Sequence, residues 1–370
     1  MKTVGEGFME NKYQKVKNGL KEAILAGQYK VNDKLPTETE LMEAYEVSRY
    51  TVRRAVGDLE TDHFIYRIQG GGMFVQDWHR DWSTEPDSKM IGVITTHIAD
   101  YIFPNIIAGI DRVISDAGYS LLISNTHNDH DKERKSLINM LDSKVAGLII
   151  EPTQSALPNP NLDLYHEIKD DQIPTLFINA KYPSLDFPGV TTGDQAAEER
   201  LVDYLFELGH QSILGVFQVD DSQGVARMNG FVQAYQAHPE FSYKSNQIMY
   251  QSGDDFAKLS ERIGAYMSLP ERPTAIACYN DRLAIQVMAD LRKRGFRVPE
   301  DVSVVGFDDY QLSQYMTPAL TTLSHEKERM GADAGTMLLQ MLDQQPVTDI
   351  EYQPELIKRT SAQAPDVTSK

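Results

Sequence analysis

Most of the side chains able to do chemistry in this 370-residue chain stand directly after apolar runs. Thr96, His97, Asp100, Tyr101 and Phe103 follow the run 90–95, Asn125 follows 119–124, Glu151 follows 146–150, and Asn179 follows 174–178. Gln218, Asp220 and Asp221 come after 212–217, Asn280 and Asp281 after 274–278, and Asp308 and Asp309 after 302–306. Arg227 stands in the segment Gly224-Val225-Ala226-Arg227. Carboxylate and amide oxygens accept hydroxyl protons, the guanidinium donates back, and an aromatic ring covers an apolar face. This mixture suits a neutral polyhydroxylated ligand such as a sugar. A charged hydrogen bond is worth about 1.5–3 kcal/mol, so several of them fix a small sugar firmly. A phosphate or nucleotide would need glycine-rich loops and several cations, and the sequence has neither a G-x-G-x-x-G nor a P-loop. Arg227, Asp308 and Glu151 rank first, because a charged group beside an apolar strand needs a partner. Plainer roles stand beside these. Asn125, Asp220 and Asn280 serve equally as helix caps, Asp309 as an acceptor for its own turn, and Asp281 as a structural pin. His97 and His325 read more readily as ordinary surface or core histidines than as sugar contacts.

The elements that must position these residues are legible around them. The runs 90–95, 119–124, 146–150, 174–178, 212–217, 274–278 and 302–306 read as strands. Helical stretches at 104–117, 131–142, 194–208, 223–237, 280–294 and 326–342 separate them. Strands this apolar, joined by helices rather than hairpins, predict parallel sheets covered on both faces. In such sheets ligands bind outside the carboxyl ends of the strands.

A second group of candidates lies near the N-terminus. Tyr13, Val16, Leu20, Ala23 and Ile24 form one stripe at helical spacing, and Gly27 stops that helix. Thr37-Glu38-Thr39-Glu40 fits a capping box ahead of Leu41, Met42 and Tyr45, and Ser48 is a suitable N-cap for a third helix through about Glu60. On that helix Val52, Ala55, Val56 and Leu59 make the buried stripe. Tyr50, Arg53 and Gly57 project elsewhere, with Arg49 in the first turn. Phe64–Ile68 and Met73–Val75 then read as strands around Gln69-Gly70-Gly71-Gly72, a wing added to a helix-turn-helix that reads a major groove.

The charge is divided in the same way. The chain carries 36 basic and 54 acidic side chains, a net charge of −18 that argues against nucleic acid when taken as a whole. Residues 1–76, however, carry 11 of each sign, and the whole excess falls on residues 77–370. The polar stretch 77–88 reads as a linker, giving a DNA-binding domain at 1–76 and a sugar-binding and dimerisation domain at 89–370. The single cysteine, Cys278, rules out an internal disulfide and a multi-cysteine zinc site, and neither a metal nor a cofactor is expected. Met1 to Tyr13 has no apolar core, and no run approaches the roughly 20 apolar residues of a membrane span, so a cytoplasmic location is expected.

Three stretches carry a family resemblance. Leu35-Pro36-Thr37-Glu38-Thr39-Glu40-Leu41, Val47-Ser48-Arg49-Tyr50-Thr51-Val52-Arg53 and Gln69-Gly70-Gly71-Gly72-Met73-Phe74-Val75 resemble the winged helix of GntR-type bacterial regulators. The resemblance implies DNA contacts from Arg49, Tyr50, Thr51, Arg53, Glu38, Gln69 and Gly70, with Lys12 as a phosphate contact. His63 departs from the glycine common at the turn after the recognition helix, which puts the wing angle in question.

Residues 89–360 resemble the LacI/GalR-type effector domain, itself similar to periplasmic sugar-binding proteins. The match is carried by Gly147-Leu148-Ile149-Ile150-Glu151, Arg227-Met228-Asn229-Gly230-Phe231, Tyr279-Asn280-Asp281 and Pro299 through Asp309, among others. It implies two lobes, a sugar cleft between them, and a homodimer. Asp100, Tyr101, Phe103, Glu151, Asn179, Arg227, Asn280 and Asp308 are the expected effector contacts. No LacI-type helix-turn-helix precedes Lys89, and the fusion of these two modules resembles the AraR-type family of arabinose-responsive repressors. The expected fold is thus multidomain: a mainly α winged helix-turn-helix with a β-hairpin, then a two-lobed α/β body with parallel sheets. The expected function is repression of sugar-utilisation genes, with release of a palindromic operator when sugar, L-arabinose first, fills the cleft. Alternatives are another sugar or a purine as effector, a glycosidase using Glu151 and Asp308, or a transport binding protein.

Overall fold

A computed structural model of the chain describes residues 12–68, 71–78, 89–99 and 101–366. Gln69, Gly70, Asp100 and almost all of the expected linker lie outside the described residues, as does the side chain of Lys12. The chain divides into two compact units, Met1–Pro86 and Asp87–Lys370.

The first unit holds helices α1 (Lys12–Leu25), α2 (Glu38–Tyr45) and α3 (Arg49–Thr61), then strands β1 (Ile65–Ile68) and β2 (Gly72–Val75). Its boundaries follow local chemistry. Thr37 Oγ1 accepts from Glu40 N at 3.3 Å while Glu40 Oε2 accepts from Thr37 N at 2.7 Å, closing the capping box. Ser48 Oγ accepts from Thr51 N at 3.2 Å and starts α3. Val52, Ala55, Val56 and Leu59 are fully buried against Val16, Leu20 and Ile24 of α1 and Ile65, Met73 and Val75 of the hairpin. Removing side chains of this size from water is worth about 1.5–3 kcal/mol each. His63 adopts a φ of 56°, the left-handed geometry that glycine would supply, so the turn is kept with histidine in it.

The second unit alternates strand and helix: β3 (Met90–Thr95), α4 (Phe103–Asp116), β4 (Ser120–Asn125), α5 (His130–Asp142), β5 (Gly147–Ile150), α6 (Leu162–Asp170), β6 (Thr175–Asn179), β7 (Gly189–Thr192) and α7 (Asp194–Glu207). It continues with β8 (Ile213–Gln218), α8 (Ser222–Gln236), β9 (Asn246–Tyr250), α9 (Phe256–Met267), β10 (Ala275–Cys278), α10 (Asp281–Lys293), β11 (Ser303–Val305) and β12 (Thr322–Leu323). Last come α11 (Lys327–Leu342), β13 (Ile350–Tyr352) and β14 (Leu356–Ile357). The strands form two sheets, one per lobe, ordered β4-β3-β5-β6-β7-β13 and β11-β10-β8-β9. Every pair within them is parallel; the small β12–β14 pair of this unit is antiparallel.

Helices cover both faces of each sheet, as the apolar strands require. Ile106, Ile110 and Ile114 of α4 pack with Met330, Ala334 and Leu338 of α11 on one face of the larger sheet. Their axes approach closely enough that a Cβ at Gly109 or Gly331 would strike the backbone of the facing helix. The chain passes between lobes three times, after β7, after β12 and after β13. The crossing segments are laced together: Gly193 N donates to Tyr352 O at 2.8 Å, and Ser324 N to Glu355 O at 2.8 Å. Among the described residues no helix is long and apolar enough to cross a membrane.

Candidate functional site

The carboxyl ends of the two sheets face one another across a cavity of about 370 Å³. Tyr101, Phe103, Glu151, Asn179, Arg227, Asn280 and Asp308, read from the sequence as its contacts, all line it.

Arg227, from the second turn of α8, is the buried cation of this region, 1% exposed. Its Nε donates to Asp194 Oδ1 at 2.8 Å, Nη2 to Asp308 Oδ1 at 3.2 Å, and Nη1 to the Tyr279 carbonyl at 2.6 Å. The guanidinium also lies 3.6 Å from the Phe307 ring centroid and 4.9 Å from that of Tyr279. Burial by itself pulls the guanidinium pKa down, but Asp308 and Asp194 outweigh it and hold it above the ordinary arginine range. Asp308 is shared across the cleft: its Oδ2 accepts from Tyr101 Oη, in the opposite lobe, at 2.7 Å. Tyr101 therefore reaches into the site as a partner of Asp308, its ring 4.9 Å from that of Tyr310.

Glu151 holds the other wall. Its Oε2 accepts from Thr96 N and Thr96 Oγ1, both at 2.8 Å, and its Oε1 from Asn179 Nδ2 at 2.9 Å. Burial pushes its carboxyl up to about 7, against the pull of those three donors. Asn179 Oδ1, buried at the cavity wall, finds no protein partner. Tyr101, Asn179 and Asp308 have φ of 61°, 64° and 96°, a clustering of left-handed non-glycine residues that occurs where a site dictates the backbone.

The remaining polar strand ends divide between the cleft and the scaffold. Asn280 lines the cavity but also caps α10, accepting from Leu283 N at 2.9 Å. Asp281 is a pin, accepting from Ser313 Oγ, Thr322 Oγ1 and Tyr310 N at 2.6, 2.6 and 2.8 Å. Asp309 bonds Arg359 at 2.7 Å, and Asn125 accepts from His127 N at 2.9 Å in its own turn. Asp221, not Asp220, caps α8; Asp220 Oδ2 instead takes Ser252 Oγ at 2.5 Å and, across the lobes, Asn128 Nδ2 at 3.4 Å. His97 lines the cleft with its ring 5.4 Å from that of Phe103, whereas His325 is buried with both ring nitrogens lacking protein partners. Asp194, Asn128, Ser155, Tyr250 and Tyr279 escaped the sequence reading. Asn128 and Ser155 sit on loops, Tyr250 ends an edge strand, and Asp194 opens a helix, where an acidic residue is ordinary.

In the first unit, Arg49, Tyr50 and Arg53 are exposed on α3, with Tyr50 at 76%. Arg53 Nε lies 3.1 and 3.0 Å from the two carboxylate oxygens of Glu38, so those candidates form an ion pair. Thr51 is half-buried, its hydroxyl 2.8 Å from Ser48 Oγ. Arg54 turns back over the Tyr13 ring at 4.4 Å and belongs to the scaffold.

The comparisons with known proteins agree on both modules. Residues 12–75 match the model of bacterial regulatory proteins of the gntR family, and residues 202–362 that of the periplasmic binding protein-like domain. A LacI transcriptional regulator from Alkaliphilus metalliredigens, solved with D-xylulofuranose, superposes with a TM-score of 0.65 at 24% identity, covering 74% of this chain and 99% of that one. The arabinose metabolism transcriptional repressor of Geobacillus stearothermophilus is 41% identical over 355 residues, 95% of this chain and 97% of the relative. That of Halalkalibacterium halodurans is 37% identical over 363 residues, with the same shares covered. The chain therefore belongs to the family of arabinose metabolism transcriptional repressors and is a DNA-binding regulator, not an enzyme.

Proposed function

We propose that the protein represses sugar-utilisation genes as a homodimer, and that a neutral sugar, L-arabinose first, binds between its lobes and releases the operator. One observation carries the sugar reading: a single buried guanidinium stands among the buried carboxyls Glu151, Asp194 and Asp308, beside the unpartnered Asn179 Oδ1. Such a wall offers many acceptors to hydroxyl groups and one buried cation, itself already bonded to Asp194 and Asp308, to an anion, so a sugar phosphate is disfavoured. In this reading Glu151, Asn179 and Arg227 meet the ligand, Asp308 does so while bonded to Tyr101, and Phe103 supplies an apolar surface. Asp100 joins them on sequence grounds alone. The relatives named for arabinose metabolism favour L-arabinose within this class. Calorimetry against L-arabinose, other pentoses and hexoses, a purine and a pentose phosphate tests it. Heat from the phosphate or the purine alone would overturn the sugar reading.

On the DNA side, α3 enters the major groove. A guanidinium held through Nε keeps its Nη pair for the O6/N7 edge of guanine, and Glu38 orients Arg53 for that contact. Arg49, Tyr50 and Thr51 contact the duplex nearby, Lys12 a phosphate, and Gln69 and Gly70 the adjacent groove. For the dimer, each sheet ends in an edge strand with an exposed apolar side chain, Ile123 on β4 and Met249 on β9, and Ile138 of α5 is likewise exposed. A second copy covering these edges accounts for them and gives the operator its two-fold symmetry. A single sedimenting species of monomer mass at working concentration would remove the dimer.

A further inference from the structure

The two ends of the cleft differ in kind. At the closed end Glu151, Asn179, Arg227 and Asp308 are each no more than 5% exposed. At the other end the C-terminal lobe supplies Tyr250, which closes β9, Phe256 and Leu259 from α9, and Arg282, Leu283 and Gln286 from α10. There Gln286 and Asp254 are exposed, so this end opens to solvent. Gln286 lies five residues beyond Asp281 on α10, about 7.5 Å further along the axis at 1.5 Å per residue. The cavity of about 370 Å³ is lined both by these buried groups and by these exposed ones.

We propose that the open end is a second subsite that takes the next residue of a neutral pentose disaccharide, whose first ring occupies the closed end. This rests on the sugar reading of the closed end. The lining fits a sugar ring: Phe256 and Tyr250 offer aromatic carbon to its apolar face, with Leu259 and Leu283 beneath. The Gln286 amide and the Asp254 carboxylate stand at the rim where hydroxyls emerge.

The test is calorimetry on the full-length protein with L-arabinose and with an arabinose disaccharide, for the wild type, Gln286→Trp and Phe256→Ala. Gln286 is exposed, so the tryptophan fills the open end without disturbing the core. The wild type should bind the disaccharide at least as tightly as arabinose. Each variant should weaken the disaccharide by about tenfold or more, with arabinose held within about twofold. A wild-type disaccharide affinity about tenfold below that of arabinose, or an equal loss of both sugars in Gln286→Trp, overturns the subsite. Heat from neither sugar removes the sugar reading, and the subsite with it.

Discussion

Replacing Asp308 by asparagine changes one charge and almost nothing else. Asparagine tolerates the φ of 96° at this position better than alanine does, so the backbone is kept. Arg227 retains its bond to Asp194 at 2.8 Å, and the amide oxygen can still accept from Arg227 Nη2. The amide nitrogen then faces Tyr101 Oη, whose proton can turn to the Phe307 carbonyl, 3.2 Å away. What disappears is the charge in each bond Asp308 makes. A hydrogen bond to a charged group contributes about 1.5–3 kcal/mol and a neutral one about 0.5–1.5, so each loses about 1–1.5 kcal/mol. For an effector hydroxyl donating to this carboxylate, that is a loss of roughly five- to fifteen-fold in affinity. The Asp308→Asn protein should bind operator like the wild type but release it only at about tenfold higher sugar. Titrating sugar into a complex of protein with fluorescent operator, read by anisotropy beside calorimetry on free protein, measures both. Release at the wild-type sugar concentration, with calorimetric affinity within about twofold, would refute the placing of Asp308 in the effector site.

Other outcomes can be stated as directly. Arg53→Ala should cost about 1–3 kcal/mol of operator discrimination and leave sugar binding unchanged, seen as converging affinities for operator and scrambled DNA at fixed salt. Glu151→Gln tests the buried carboxyl by thermal unfolding against pH. The folded protein holds this proton up to about pH 7 and the unfolded chain only to about 4.5. Its stabilising effect is therefore full below about 4.5 and is lost as pH rises to 7, so the variant should gain up to about 3 kcal/mol on the wild type at pH 8. An equal difference at pH 5 and pH 8 contradicts this. Gly331→Ala should cost about 1–3 kcal/mol in chemical denaturation, because its Cβ would strike the α4 backbone. A neutral result would mean that the α4–α11 contact is looser than described.

The parts of this molecule legible from sequence are those governed by strong local rules. The capping box at Thr37, the cap at Ser48 and the buried stripe of α3 depend on residues a few positions apart, and they stand as read. Buried parallel strands such as β3, β5 and β10 announce themselves by continuous apolar runs. Edge strands do not: β9 mixes Asn246 and Gln247 with Ile248, and β13 gains its identity only from pairing with β7. The helices α6 and α9 are not among the helices legible in the sequence, although the apolar runs 174–178 and 274–278 follow them. In the cleft, strand-end position brought out Glu151, Asn179 and Asp308, and the start of the following helix brought out Arg227. It could not bring out Asn128 or Asp194, whose roles arise from the approach of elements distant in sequence.

The three crossings between the lobes impose an order on the making of the protein. Among the described residues, the helices and strands of the first unit lie within residues 12–75, so that module is complete once a short N-terminal stretch has left the ribosome. The ligand-sensing lobes are interleaved: the larger sheet waits for β13 at Ile350–Tyr352, and the smaller lobe for β14 and for Ser361, whose Oγ donates to Val304 O at 2.5 Å. A chain interrupted anywhere between these points carries a finished DNA reader and an unfinished sugar sensor. On the proposed reading, premature termination thus yields molecules with a DNA-reading module that no effector can address, and residues 350–361 complete the lobes that make the protein a switch.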